Sequence, residues 1–220
     1  MKRRLAVLLL LLASGTAFGQ LPAVNSPHWP HTYDRYFRKY SKYYFGPFRD
    51  WRWFKAQAIA ESLLNPHAHN PSGSAGLMQL EPSTFAKARR KAHLPGNIYQ
   101  PRWNIAAGIY HDRQLYEQPV WNALSAHLRL LVSFAAYNAG LGGAKKGYRE
   151  APKPVTSWLQ IAPHLPEQTQ HYVSRIVEVK TGHPPRATPA QPPRAPASPT
   201  KPMAEQAPHR GFFRRLFGLP

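Results

Sequence analysis

The stretch AIAESLLNPHAHNPSGSAGLMQLEPSTF, residues 58–85, begins in an apolar helical pattern that carries one carboxylate, Glu61. Burying an unpaired carboxylate is costly, so either a partner stabilises Glu61 or its acidity has a use. Burial near the negative end of a helix raises the pKa of a carboxyl group, and such an acid can protonate a glycosidic oxygen. The residues alone also allow a glutamate that reaches solvent or pairs with a basic side chain.

Apolar residues at helical spacing continue on both sides of this stretch. They predict helices over residues 51–64, 83–93, 105–116, 124–137, 157–161 and 169–180. An aromatic stripe predicts a further helix with one core-facing side; it consists of Tyr33, Tyr36, Phe37, Tyr40 and Tyr44. Residues 97–104 are expected to form a loop, with Asn104 capping the next helix. No segment has the alternation of a strand, so we expect an all-α fold.

The two ends of the chain differ from this middle part. Residues 1–19 combine a basic start, a short apolar run and small residues, a pattern typical of a removable signal peptide. The rest of the chain would then be exported to the periplasm. Residues 181–220 are rich in Pro, Ala and Arg and are expected to be a disordered tail, leaving residues 20–180 as the globular domain. The final GFFRRLFGLP allows two interpretations. It is either a short segment that binds a membrane surface or an envelope-complex partner, or a disordered end that adheres non-specifically.

The formal net charge of +19 favours anionic partners such as cell-wall polymers, peptide carboxylates or phospholipid headgroups. A basic surface without a specific partner is the alternative. Nucleic acid is excluded as the expected partner because the leader indicates export and no nucleic-acid-binding motif is present. There is no cysteine, and His67 and His69 lack a third ligand at a suitable spacing, so we expect neither a metal nor a cofactor.

Carboxylates are scarce, and we expect Glu61 to be the only one inside an apolar helix. Four blocks then carry a resemblance: ESLLNPHAHNPSGSAGLMQLEPSTF, NIAAGIY, AAYNAG and TQHYVSRI. In their order and spacing the chain resembles lytic transglycosylases of the soluble, lysozyme-like type over about residues 51–179. The resemblance implies a lysozyme-like catalytic domain, peptidoglycan glycan strands as substrate, and Glu61 as the single general acid and base. It also implies cleavage of the MurNAc-β-1,4-GlcNAc bond with formation of 1,6-anhydroMurNAc ends.

The same resemblance implies a set of substrate-binding residues: Asn70, Met78, Gln79, Glu81, Tyr137, Asn138, Gln168 and Tyr172. Gln79 would bind the glycan with support from Met78. Tyr137 would lie near the carboxyl of Glu61, and Asn138 would contact the sugar. Tyr172 would be a second tyrosine of the cleft.

Three residues depart from the family pattern. Asn70 replaces a serine, Glu81 a methionine that packs against the glycan, and Gln168 a glutamate. Glu81 either brings a second carboxylate to the cleft or turns to solvent. Glu81 keeps open the alternative of a lysozyme-type hydrolase on the same fold. A separate alternative is a non-catalytic wall-binding or assembly module that keeps the fold.

Overall fold

The computed structural model describes residues 21–185 of the chain. The predicted signal peptide and residues 186–220 of the predicted tail lie outside this range. Within it, the chain forms helices and no strand, which confirms the all-α class. The α-helices are α1 Asp34–Phe45, α2 Arg52–Ser62, α3 Pro82–Lys91, α4 Pro101–Tyr116, α5 Ala126–Glu150, α6 Trp158–Ile161 and α7 Glu167–Thr181, with short 3₁₀ turns at Pro119–Trp121 and Ala162–His164. None of the helices between residues 21 and 185 is long and apolar enough to span a membrane.

Helix α2 carries Glu61 and has a largely buried surface. It packs against α1 and α7, while α4 packs against α1, α3 and α5. Phe54, Ala58 and Ile59 are fully buried, as expected of a helix that is apolar around most of its circumference. Glu61 is the penultimate residue of α2 and therefore lies at the end of this buried helix.

The aromatic stripe of α1 packs as predicted. Phe37 and Tyr40 are buried in the core. A buried ion pair joins α1 to α2: Lys55 Nζ lies 2.7 Å from Asp34 Oδ1, and Lys55 is only 1% exposed. Because neither charge faces water freely, each depends on the other for its stabilisation.

Two boundaries differ from the sequence prediction. Helix α4 begins at Pro101, not at residue 105, because proline is well suited to the first position of a helix. Asn104 therefore lies within the helix and is not its cap. Helix α5 does not end near residue 137: it continues to Glu150 across a kink at Gly140, where φ is 75° and ψ is 154°.

Candidate active site

Glu61 and Tyr172 form the centre of the candidate site. The Tyr172 hydroxyl donates a hydrogen bond of 2.6 Å to Glu61 Oε1. Tyr172 is buried on α7, whereas Glu61 keeps partial exposure at the end of α2. Beyond Glu61, Leu63 and Leu64 both adopt positive φ, at 53° and 59°, so the chain turns away sharply from the helix. The carboxyl group is thus held by protein on one side and accessible on another.

The electrostatics of this pair follow from burial. Desolvation raises the pKa of Glu61 to about 8, and the hydrogen bond from Tyr172 opposes that rise. The direction agrees with the sequence prediction for this carboxyl group. Burial and the negative charge of Glu61 raise the pKa of both Tyr137 and Tyr172 well above the usual range, so both phenols stay protonated donors.

Tyr137 and Asn138, on α5, tie that helix to two neighbouring segments. The Tyr137 hydroxyl donates a 2.7 Å hydrogen bond to the carbonyl of Met78, and its pKa is sensitive to the charge on Glu61. Asn138 Oδ1 accepts a 2.8 Å hydrogen bond from Thr169, a buried residue that sequence reasoning did not single out. Tyr137 therefore belongs to the surroundings of Glu61, and Asn138 is oriented from α7.

Asn104 holds the loop that faces the end of α2. Its Oδ1 accepts a 2.8 Å hydrogen bond from the Met78 amide, and its Nδ2 donates to the carbonyls of Ala75 and Ile98, each at 2.9 Å. Gly76, at φ 77°, packs so closely that a Cβ there would lie 2.4 Å from Asn104 Nδ2. A buried amide that satisfies three backbone groups is a structural tie, which the predicted role as a helix cap did not anticipate.

Gln79 and Met78 face different surroundings within this loop. Gln79 has φ 43°, and its Nε2 donates to the carbonyls of Ala68 at 3.0 Å and Gly76 at 2.9 Å. Its Oε1 has no partner among the described residues. The Met78 side chain is fully buried against Gly108, so it supports the loop. Its place among the substrate-binding residues stays a prediction.

The three residues that depart from the family pattern lie outside the hydrogen-bonded group around Glu61. Asn70 Oδ1 accepts hydrogen bonds from the Ser72 hydroxyl and the Ser74 amide and so shapes its own loop. Glu81 is exposed just before α3, and its side chain bonds no described residue. Gln168 is exposed in the first turn of α7. Residues 21–185 contain no group of three or more His, Asp or Glu side chains that could hold a metal ion.

A second buried carboxyl group lies near the site. Asp112 on α4 is fully buried, and Gln57, one turn before Glu61 on α2, donates a 3.2 Å hydrogen bond from Nε2 to Asp112 Oδ1. The expectation that only Glu61 falls inside an apolar helix is therefore wrong. The signal was present: Asp112 follows Ile105 and Ile109 at helical spacing and so shares their core-facing side.

Comparisons with known proteins point to one family. Residues 37–157 match the family model described as the transglycosylase SLT domain. The membrane-bound lytic murein transglycosylases F of Vibrio cholerae serotype O1 and Yersinia enterocolitica are 31% and 30% identical to the chain, each over 61% of it. The matched parts make up 24% and 27% of those proteins, so the chain matches about a quarter of their length.

Two solved structures share the fold. The 70-kDa soluble lytic transglycosylase of Escherichia coli has a TM-score of 0.55 at 26% identity, covering 69% of this chain and 24% of its own. An inactive mutant of the lytic transglycosylase Slt of Pseudomonas aeruginosa has a TM-score of 0.58 at 22% identity, with the same coverage. The second likeness concerns the fold alone.

Proposed function

Since the chain belongs to the transglycosylase SLT family, we propose that it is a peptidoglycan lytic transglycosylase in which Glu61 is the single general acid and base. The observation that carries the proposal is the Glu61 carboxyl group, whose pKa burial raises to about 8 and whose Oε1 accepts the Tyr172 hydrogen bond. At neutral pH this group is a protonated acid. Because Tyr172 occupies Oε1, Oε2 is the oxygen left to carry the transferred proton.

In the first step, Glu61 gives its proton to the oxygen that joins MurNAc C1 to GlcNAc, and the bond from C1 to that oxygen breaks. Glu61 becomes a carboxylate and C1 gains positive character. The Tyr172 hydroxyl stabilises the new carboxylate, since hydrogen bonds to a charged acceptor are stronger than those to a neutral one.

In the second step, the C6 hydroxyl of the same MurNAc attacks C1 and gives its proton to Glu61. One C–O bond has broken, another has formed, and the acid is restored without consuming water. The product is a 1,6-anhydro end. An intramolecular nucleophile needs no second carboxylate to position water, which gives it a large entropic advantage.

The arrangement of the other carboxyl groups favours this reaction over hydrolysis. Paired-acid glycosidases place a second carboxylate at the scissile bond. Here Asp112 is fully buried, and the exposed Glu81 side chain forms no hydrogen bond with a described residue. We therefore propose that neither carboxyl group activates a water molecule. Gln79 Oε1, which has no described partner, and the exposed part of Asn138 are the polar groups we propose for binding the glycan.

The decisive experiment is mass spectrometry of glycan fragments released from purified peptidoglycan. We expect 1,6-anhydroMurNAc ends. Reducing MurNAc ends would instead identify a hydrolase. Glu61→Gln should abolish product formation while the protein still sediments with peptidoglycan. If Glu61→Gln releases fragments as fast as the parent, the role of Glu61 is refuted; if neither releases any while both bind, the chain is a wall-binding module.

We further propose that the protein acts in the periplasm, a site supported by the leader pattern of residues 1–19. Binding of the C-terminal tail to an envelope complex or a membrane surface stays a prediction, because that segment lies outside the described residues. Fractionation of cells that express the full chain, followed by immunoblotting, tests the location.

A further inference from the structure

We propose that Asp112 is a positioning residue: as a neutral acid it forms a reciprocal acid–amide pair with Gln57 and thereby fixes the turn of α2 that precedes Glu61. Gln57 is fully buried and lies four residues before Glu61, so its side chain is on the same face of α2. Holding Gln57 from α4 therefore restrains the backbone that carries the acid.

The unpaired atoms of the two side chains carry the inference. Gln57 Nε2 donates to Asp112 Oδ1 at 3.2 Å, yet Gln57 Oε1 and Asp112 Oδ2 are buried without any hydrogen-bond partner among the described residues. With Asp112 as a carboxylate, two buried acceptors would lack a donor, which is costly. One proton on Oδ2 satisfies both, because it lets Asp112 donate to Oε1 while accepting from Nε2.

The surroundings of Asp112 favour the neutral form as well. Burial raises the pKa of Asp112 well above its usual range, and the negative charge of Glu61 acts in the same direction. Asp112 interacts electrostatically with Glu61 from α2, Tyr137 from α5 and Tyr172 from α7, and none of these groups supplies a positive charge. Burial and the lack of a positive charge among these groups therefore favour a protonated Asp112, whether or not the proposed reaction takes place.

The consequence for the site is that Glu61 remains the only carboxyl group there that changes charge during turnover. An ionised Asp112 would repel the carboxylate of Glu61 and raise the pKa of Glu61 further. This consequence rests on the proposed function, whereas the acid–amide pair itself does not. The two are tested separately.

The pair is tested by unfolding the protein in urea between pH 5 and 9, comparing the parent with Asp112→Asn. The asparagine amide reproduces the hydrogen bonds of the neutral acid but cannot ionise. A group whose folded pKa is raised stabilises less as pH rises above its unfolded value of about 4. Relative to Asp112→Asn, the unfolding equilibrium constant of the parent should therefore rise with pH from pH 5 upward, by at most about tenfold per pH unit, until the pH reaches the folded pKa of Asp112. If the ratio of the unfolding equilibrium constants of the parent and Asp112→Asn does not change with pH, the proposal is overturned.

A matched control is Asp50→Asn. Asp50 is partly exposed, and its bonds with Arg52 and Lys180 lower its pKa, the opposite direction. Asp50 is ionised in both the folded and the unfolded state above about pH 5. The ratio of the unfolding equilibrium constants of the parent and Asp50→Asn should therefore not change from pH 5 to 9. A rise of equal size in this control would also overturn the proposal.

The positioning role is tested by the pH profile of fragment release. Asp112→Leu, which removes the pair, should lower kcat about tenfold or more, and Asp112→Asn should recover most of the loss. The alkaline limit of the profile should be the same for Asp112→Asn and the parent. A limit displaced to lower pH in Asp112→Asn would mean that Asp112 was ionised beside Glu61 and would overturn the role. If the parent releases no fragments, the proposed function fails, but the unfolding experiment still decides the state of Asp112.

Discussion

The hydroxyl of Tyr172 lies 2.6 Å from Oε1 of Glu61, although 111 residues separate the two along the chain. Helix α7 thus brings a donor from the last part of the domain to the carboxyl group at the end of α2. The bond lowers the pKa of Glu61 while burial raises it, and burial is the larger effect. The balance leaves a carboxyl group that is protonated at neutral pH and ionises at a pH near 8.

Activity should fall on the alkaline side of a pH near 8. Glu61 must be protonated for the first proton transfer, and its pKa is raised from 4.5 to about 8. We therefore expect kcat to decrease about tenfold per pH unit above that value. The measurement is the initial rate of fragment release from saturating peptidoglycan between pH 5 and 10. An alkaline decline that begins near pH 5 would contradict the assignment.

Tyr172→Phe should lower kcat about 10- to 100-fold, because the carboxylate formed in the first step loses a charge-assisted hydrogen bond. The alkaline limit should also move to higher pH, since that bond lowers the pKa of Glu61. Tyr148→Phe is the matched control: Tyr148 is buried on α5 and its hydroxyl bonds no described residue. Equal losses in both variants would argue against the role of Tyr172.

Glu61→Gln should stabilise the protein at pH 8 by about 1–3 kcal/mol more than at pH 5. The folded pKa of Glu61 lies above its ordinary value of 4.5, so the folded state retains a proton that the unfolded chain releases. The stability of the parent is therefore lost as pH rises toward 8, and the glutamine variant does not share this loss. Urea unfolding of both proteins at the two pH values checks the prediction. A difference that shrinks with pH would refute it.

Asn104→Ala should destabilise the domain by about 3–4 kcal/mol, because the Met78 amide and the carbonyls of Ala75 and Ile98 lose their buried partner. Asn122→Ala is a suitable control, as Asn122 is exposed and its side chain bonds no described residue. The midpoint of urea unfolding gives both values. Similar midpoints for the two variants would show that the loop does not depend on Asn104.

The sequence was sufficient for the fold class, and it singles out Glu61 as the candidate acid. Helical spacing predicts the core-facing sides of α1 and α2, and Glu61 is conspicuous because it lies among apolar residues. Helix ends were less predictable. From the sequence, Pro101 is equally compatible with a loop and with the first position of α4. Gly140 could have ended α5, but in the structure it only kinks the helix.

The partners of the site residues could not be predicted, because they depend on contacts between segments far apart in the chain. Asn104 has the sequence position of a cap, yet tertiary packing gives it three backbone partners in the loop. Thr169 orients Asn138, and Gln57 meets Asp112, across helix contacts that periodicity does not specify. Periodicity reports which face of a helix is buried, but not what lies against it.

The tied loop also affects how tightly a ligand is held. Backbone bridges join Ala75 to His69 and to Leu80, Asn104 anchors the turn between them, and Gln79 closes it from its own side chain. The conformational entropy of these residues is therefore lost when the protein folds, not when a sugar chain arrives. Under the proposed function, a glycan bound against this loop would require little further ordering of the protein, so a larger share of the free energy of each new hydrogen bond would remain as affinity.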